Sequence, residues 1–454
     1  MKSPGLFSLN NRVYNGICAT LCALAAVGCG DGDQRPEVST SAASSDGGGV
    51  SGGPLGTMLT VYAIDADSSQ PVPGANVFLG SGQAARKVGQ TDSNGKLVVS
   101  SLDGGPQMVS VSATGYAAAT WGLVTSAIAT IPMESTANPP PNAQVWLSIP
   151  GWSDLPALTA GNYRIARFAF SRPKGLDALE ATLASAGPDC KQTDTPTTCS
   201  VTLSVPSDST AVLAVIAEGN DAGTPNDPSD DTLSMTGMGV QTGLLLHDSI
   251  GTSLSLQLLD RTSEAQATLL TTLPSATDFE DVIGVPGISL NGQVLLYPSL
   301  GSQATSFLVP TASGPFVNAK LWAVATADNG TDVAWSRIYQ RGIDPPKNAT
   351  DAINLTTAAF IEAPTLAKTA PSTYALTSDG NLERLELVTS SGEQLNALLF
   401  PTQAQFEVPA GLLDDEPSSV SIESFDLEVD LTAFDFEDLA NQSTRIAYAR
   451  VDSL

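Results

Sequence analysis

The chain has 454 residues, with 47 acidic side chains against 20 basic ones, a formal charge of −27 and a single histidine. So negative a field repels phosphate backbones, which excludes nucleic acid as a partner. One histidine excludes a multi-histidine zinc centre and any HExxH metalloprotease. In chain order, residues 1–28 read as an export signal: Lys2 and Arg12 give a positive start, and residues 17–27 form an apolar run. That run is shorter than the ~20 residues a bilayer span needs. Cleavage after it leaves 426 residues with a charge of −29, room for three or four domains, and no later stretch is apolar enough to cross a membrane.

The run closes with Ala26-Val27-Gly28-Cys29, which resembles the bacterial lipobox, although Ala26 stands where Leu is commonest. The resemblance implies lipid on Cys29, and two or more acyl chains give stable anchoring where one does not. Gly30 follows, where an Asp would favour retention at the inner membrane, so the implied address is exported and lipid-anchored, at the outer membrane or cell surface. Cys18 and Cys22 leave with the signal. Cys190 and Cys199 remain as an even pair in an oxidising compartment, and are expected to form a structural disulfide.

Residues 29–56 carry the lipidated Cys and runs of Gly, Ser and Asp with too little apolar content to fold, so a flexible, disordered tether is expected. From Thr57 the pattern turns strand-like. Pro71-Val72-Pro73-Gly74-Ala75-Asn76-Val77, Thr91-Asp92-Ser93-Asn94-Gly95-Lys96 and Gly115-Tyr116 supply turn chemistry between apolar runs. These three motifs resemble the carboxypeptidase regulatory-like domains, transthyretin-like sandwiches, over residues 57–133. Ser69 stands where that family usually has Gly. Such domains are usually non-catalytic spacers, so the resemblance implies architecture more than activity. The first folded unit is expected over residues 57–135.

Pro139-Pro140-Pro141 reads as a stiff linker. A second β-rich unit with the disulfide is expected over residues 142–273, with one short helix at 176–186. A third is expected over 287–362, marked by two apolar runs around Asp328-Asn329-Gly330-Thr331, a hairpin signal. The last, 363–454, loosely resembles a fibronectin type III or other immunoglobulin-like sandwich. The fold class is therefore all-β, with several β-sandwich domains in tandem after signal peptide and tether.

Catalytic signals are scarce. His247 lies in Leu246-His247-Asp248-Ser249, where adjacent side chains diverge, so this tripeptide makes no triad. Ser171-Arg172-Pro173-Lys174 has Ser-x-x-Lys spelling, but Pro173 and the missing companion motifs make chance the better account. Asp221, Asn226, Asp227, Asp230 and Asp231 crowd one Gly- and Pro-rich loop, offering the oxygen ligands calcium takes, though without EF-hand spacing. The alternative is a solvated acidic loop. Asp426, Glu428 and Asp430 alternate with apolar residues on a half-buried strand.

The leading expectation is a non-enzymatic surface protein whose sandwiches act as spacers or binding modules for an envelope protein or polysaccharide. The alternatives are an envelope glycan hydrolase using paired carboxylates and a structural subunit of an envelope assembly. An exposed aromatic strip using Trp146, Trp152 or Trp322 would favour glycan binding, whereas buried tryptophans would favour the structural subunit.

Overall fold

The structure, a computed structural model, describes residues 48–66, 68–136, 142–171, 190–193, 197–206, 211–220, 232–244, 252–256, 258, 264–270, 281–290, 293–297, 306–328, 334–356, 359–400, 403–427, 430, 432–435 and 443–452. Among the described residues the regular elements are strands and three short 3₁₀ turns, so the all-β expectation holds. No described helix is long and apolar enough to cross a membrane. Residues 176–186, where a helix was expected, lie outside the described residues.

The first unit is a sandwich. One sheet runs in the order Phe434–Asp435, Gly49–Pro54, Ser126–Met133, Met58–Asp65, Lys96–Ser100. Its inner face, with Leu59, Val61, Ala129 and Ile131, packs on Val77, Val109, Val111 and Trp121 of the opposing sheet. The motifs read from sequence do the turning. The Asp92 carboxylate accepts the N–H groups of Asn94 and Lys96 (2.8 and 3.0 Å). Gly95 sits at φ +67°, where a Cβ would lie 2.5 Å from the Ala63 carbonyl, so only glycine fits. The Thr91 hydroxyl accepts from Ala75 N–H and donates to the Val72 carbonyl, closing the proline-rich turn onto this hairpin. Tyr116 donates its phenol to Asp65 (3.1 Å).

The tether expectation needs a correction at its end. Gly49–Pro54 is a strand, paired with Ser126–Met133 on one side and Phe434–Asp435 on the other. Composition argues against folding only when a segment must supply its own apolar burial. Here backbone pairing to two pre-existing edges supplies the stabilisation, and Val50, 3 % exposed, enters the core. The glycines permit the approach: a Cβ at Gly52 would meet Ile128 at 2.8 Å.

The second unit pairs two sheets. Cys190–Gln192, Asn162–Phe170, Ala211–Asn220 and Thr232–Thr242 form one; Cys199–Pro206, Asn142–Ile149 and Thr252–Ser255 form the other. The Cys190–Cys199 disulfide ties them together, as expected. Asn162–Phe170 and Ala211–Asn220 are buried at nearly every position because both their faces are covered. One face packs inside the sandwich, and the other packs Tyr163, Ile165, Leu213 and Val215 against Ile288, Leu295 and Phe316 of the third unit. Glu264–Leu270, expected in the second unit, pairs instead with Ser306–Pro310 and Ala352–Thr356 of the third.

The expected third-unit hairpin forms, with Lys320–Asp328 antiparallel to Ala334–Ile343. In the last unit, Thr365–Ala370, Thr373–Thr377 and Gln405–Glu407 cover Leu382–Thr389, Gln394–Leu399 and Pro417–Leu427. These units do not keep separate sheets. A twelve-stranded sheet passes from the third unit through the last into the first. Its two junctions are Ala334–Ile338 paired with Arg445–Ala449, and Leu395–Leu399 lying parallel to Ala118–Gly122.

Candidate functional site

Of the residues singled out in the sequence, Cys29, His247, Lys174 and the acidic set Asp221, Asn226, Asp227, Asp230 and Asp231 lie outside the described residues. The described strands on either side of that set, Ala211–Asn220 and Thr232–Thr242, pair antiparallel as far as Asn220 with Thr232. Among the described residues no group of three or more His, Cys, Asp or Glu side chains is arranged to hold a metal. Ser171 is buried, and its hydroxyl accepts the Ala211 N–H at 2.9 Å, a strand-joining role. Of the carboxylate row, Glu428 lies outside the described residues and the other two are engaged within the fold. Asp426 pairs with Arg445 at 2.6 Å, while Asp430 caps its own turn through Thr432.

Charged side chains inside the described sandwiches are tied to one another. Arg164, 1 % exposed, sits on Asn162–Phe170 beside Glu218 on the adjacent strand. Its Nε and Nη2 both donate to Glu218 Oε1 (3.0 and 2.7 Å), and Nη2 also donates to the Pro156 carbonyl (2.8 Å). Arg384 spans Glu134 of the first unit and Glu423 of the last (3.3 and 3.5 Å). Arg337 lies 4.1 Å from the Trp335 ring, which itself stacks on Tyr448 at 5.2 Å across the third-to-last junction. Arg341 lies over Trp322 and Tyr339, and burial lowers its pKa to about 10. Of these cation–π contacts, Arg341 over Trp322 joins neighbouring strands, while the other two lie within Ala334–Ile343.

Glu383 is a different case. It is 7 % exposed, its Oε1 accepts the Ser378 hydroxyl at 2.6 Å, and its Oε2 has no hydrogen-bond partner among the described residues. Burial raises its pKa, against the opposing pull of the Ser378 hydrogen bond. It closes one end of the last unit's core beside Ser424 and Leu399, its cross-strand neighbours.

The three candidate tryptophans separate. Trp152 is buried in the second unit's core and Trp322 lies against the first unit's core. Trp146 alone is exposed, at 47 %. It occupies the middle of Asn142–Ile149, the central strand of its sheet, where Val145 and Leu147 point inward. Thr202 and Ser253 flank it across the two neighbouring strands. Ser148, next on the same face, is flanked by Ser200 and Ser255. Alternation with buried neighbours was the sequence signal that could have separated Trp146 from the other two.

No known family matches the chain, and no curated protein does. Among solved structures, the Bacillus anthracis TIE protein overlaps at 10 % identity and a TM-score of 0.15, over 67 % of this chain and 51 % of its own. This chain thus spans about half the length of that protein. The shaft pilin SpaA from Lactobacillus rhamnosus GG overlaps at 12 % identity and a TM-score of 0.14, over 46 % of this chain and 99 % of its own. A fimbrial assembly protein from Parabacteroides distasonis overlaps at 10 % identity and a TM-score of 0.13, over 52 % and 95 %. TM-scores this low do not establish a shared fold.

Proposed function

We propose that this is a non-catalytic bacterial surface protein, anchored by lipid on Cys29, whose sandwiches form one extended scaffold that presents surfaces to an envelope protein or polysaccharide. The observation that carries the reading is the twelve-stranded sheet joining three of the four units. The interior ion pairs named above join strands within that scaffold and between its units. Trp152 and Trp322 are core residues, which favours a structural subunit over a protein lined with aromatic strips. The first unit is read as a carboxypeptidase regulatory-like module on its three turn motifs, and the last as immunoglobulin-like. The acidic set at 221–231 is kept as a candidate calcium site beside a solvated acidic segment, and the address is read as the outer membrane or cell surface.

The test is retention of the full, tagged chain on purified envelope proteins and polysaccharide fractions, together with palmitate labelling of the native chain and of Cys29→Ser. Retention without release of shortened sugars, and labelling lost in the variant, are the expected results. Hydrolysed product would overturn the non-catalytic reading. Labelling that persists in Cys29→Ser would overturn the anchor.

A further inference from the structure

The outward face of the Cys199–Pro206, Asn142–Ile149, Thr252–Ser255 sheet differs from the rest of this acidic chain. Its register runs without a bulge through eight residue pairs on one side of the central strand and four on the other. Inward residues are uniformly apolar, among them Val145, Leu147, Val201, Leu203 and Leu254. The outward ones are Trp146 with Gln144, Ser148, Ser200, Thr202, Ser253 and Ser255. No formal charge stands among them, in a chain with 67 charged side chains. The patch covers about 13 Å along the central strand and about 10 Å across the three. Among the described residues no ring partner covers Trp146, and it is one of four large apolar side chains that are exposed.

We propose that this face binds an uncharged polysaccharide, with Trp146 as the platform on which one sugar ring stacks. The proposal deepens the surface-binding reading above and rests on it. An indole presents a negative π face, and the C–H bonds on one face of a pyranose ring are its natural complement. The hydroxyls of Thr202 and Ser253 beside it can each donate and accept, and Ser148, which donates to the Leu254 carbonyl at 3.4 Å, can still accept, which matches the hydroxyls of a sugar in adjacent positions. The lack of charge selects the occupant. An anionic glycan would need Lys or Arg here and would meet the −27 field of the chain. A protein partner would need apolar neighbours to seal water from the tryptophan, and the flanking positions are all hydroxyls. A flat, regular three-stranded face leaves room for a short run of sugar units.

The experiment uses the full chain in native gels containing mannan, galactan or β-glucan, with polygalacturonate as the anionic control. Retardation is expected in at least one neutral gel and none in polygalacturonate. Because Trp146 is exposed and anchors no core, Trp146→Ala should melt like the parent while losing about tenfold in affinity, and Trp146→Phe should lose less. Migration unchanged in every neutral gel would overturn the proposal, as would retardation that survives Trp146→Ala. So would capture of a protein partner that needs Trp146 when no neutral glycan binds. Release of new reducing ends would instead end the non-catalytic reading while leaving the platform standing, so the two failures are distinguishable.

Discussion

Removing Glu218 should cost more stability than removing its larger, fully buried partner. In Glu218→Ala the Arg164 guanidinium stays inside the second sandwich at 1 % exposure, stripped of two charge-assisted bonds and left with the Pro156 carbonyl. Breaking a buried pair in this way costs 3–5 kcal/mol; with Glu218 28 % exposed, water can approach, which puts the expected loss at about 3 kcal/mol. Arg164→Met removes the buried charge itself and leaves a carboxylate that can turn to solvent, so its cost should be about 1 kcal/mol. Urea unfolding followed by tryptophan emission, to which Trp152 in the same core contributes, measures the midpoints, with the slope unchanged if only stability moves. A Glu218→Ala midpoint equal to the parent's, or Arg164→Met worse than Glu218→Ala, would refute the reasoning.

Three further outcomes follow from the same geometry. Glu383 holds its proton more tightly folded than unfolded, so its contribution is full below 4.5 and is lost as pH rises from there to its raised folded value. Glu383→Gln should flatten that window and raise the melting temperature at neutral pH; an unchanged pH profile would contradict the burial argument. Gly95→Ala combines a positive φ with a clash against the Ala63 carbonyl, and should cost roughly 2 kcal/mol in denaturant unfolding, where an ordinary surface substitution changes little. If the 221–231 loop binds calcium, a chelator should lower the melting temperature, and Asp227→Ala/Asp230→Ala should abolish the difference. A parent protein indifferent to chelator would count against a tight site.

Local chemistry was legible in the sequence; pairing between distant segments was not. Asp92, Asn94 and Gly95 announce a tight turn because the turn's own residues satisfy it. Cys190 and Cys199 announce a bridge through their number and spacing. Gly49–Pro54 gives no such signal, because its partners lie at residues 126–133 and 434–435 and its stabilisation comes from their backbones. Likewise, alternation in Gln394–Leu399 shows which face is buried but not that Ala118–Val124 is its neighbour. Asp426 reads as an outward carboxylate, and only the fold brings Arg445 across the strand to meet it. The tryptophans divide on the same line: Trp146 sits in an alternating run and Trp322 in a continuously buried one, but only the fold shows that the first unit's core is what covers Trp322.

The shared sheet is the central claim, and the first unit expressed by itself tests it most directly. Residues 48–136 contain one tryptophan, Trp121, which in the full chain is buried with its ring 6.0 Å from Phe434 and its strand paired to Leu395–Leu399. The account predicts that this fragment, cut from both partners, shows solvent-exposed Trp121 emission and no sharp unfolding transition in urea. A fragment that unfolds cooperatively at the full chain's midpoint, with Trp121 still buried, would contradict it and restore a string of independent modules.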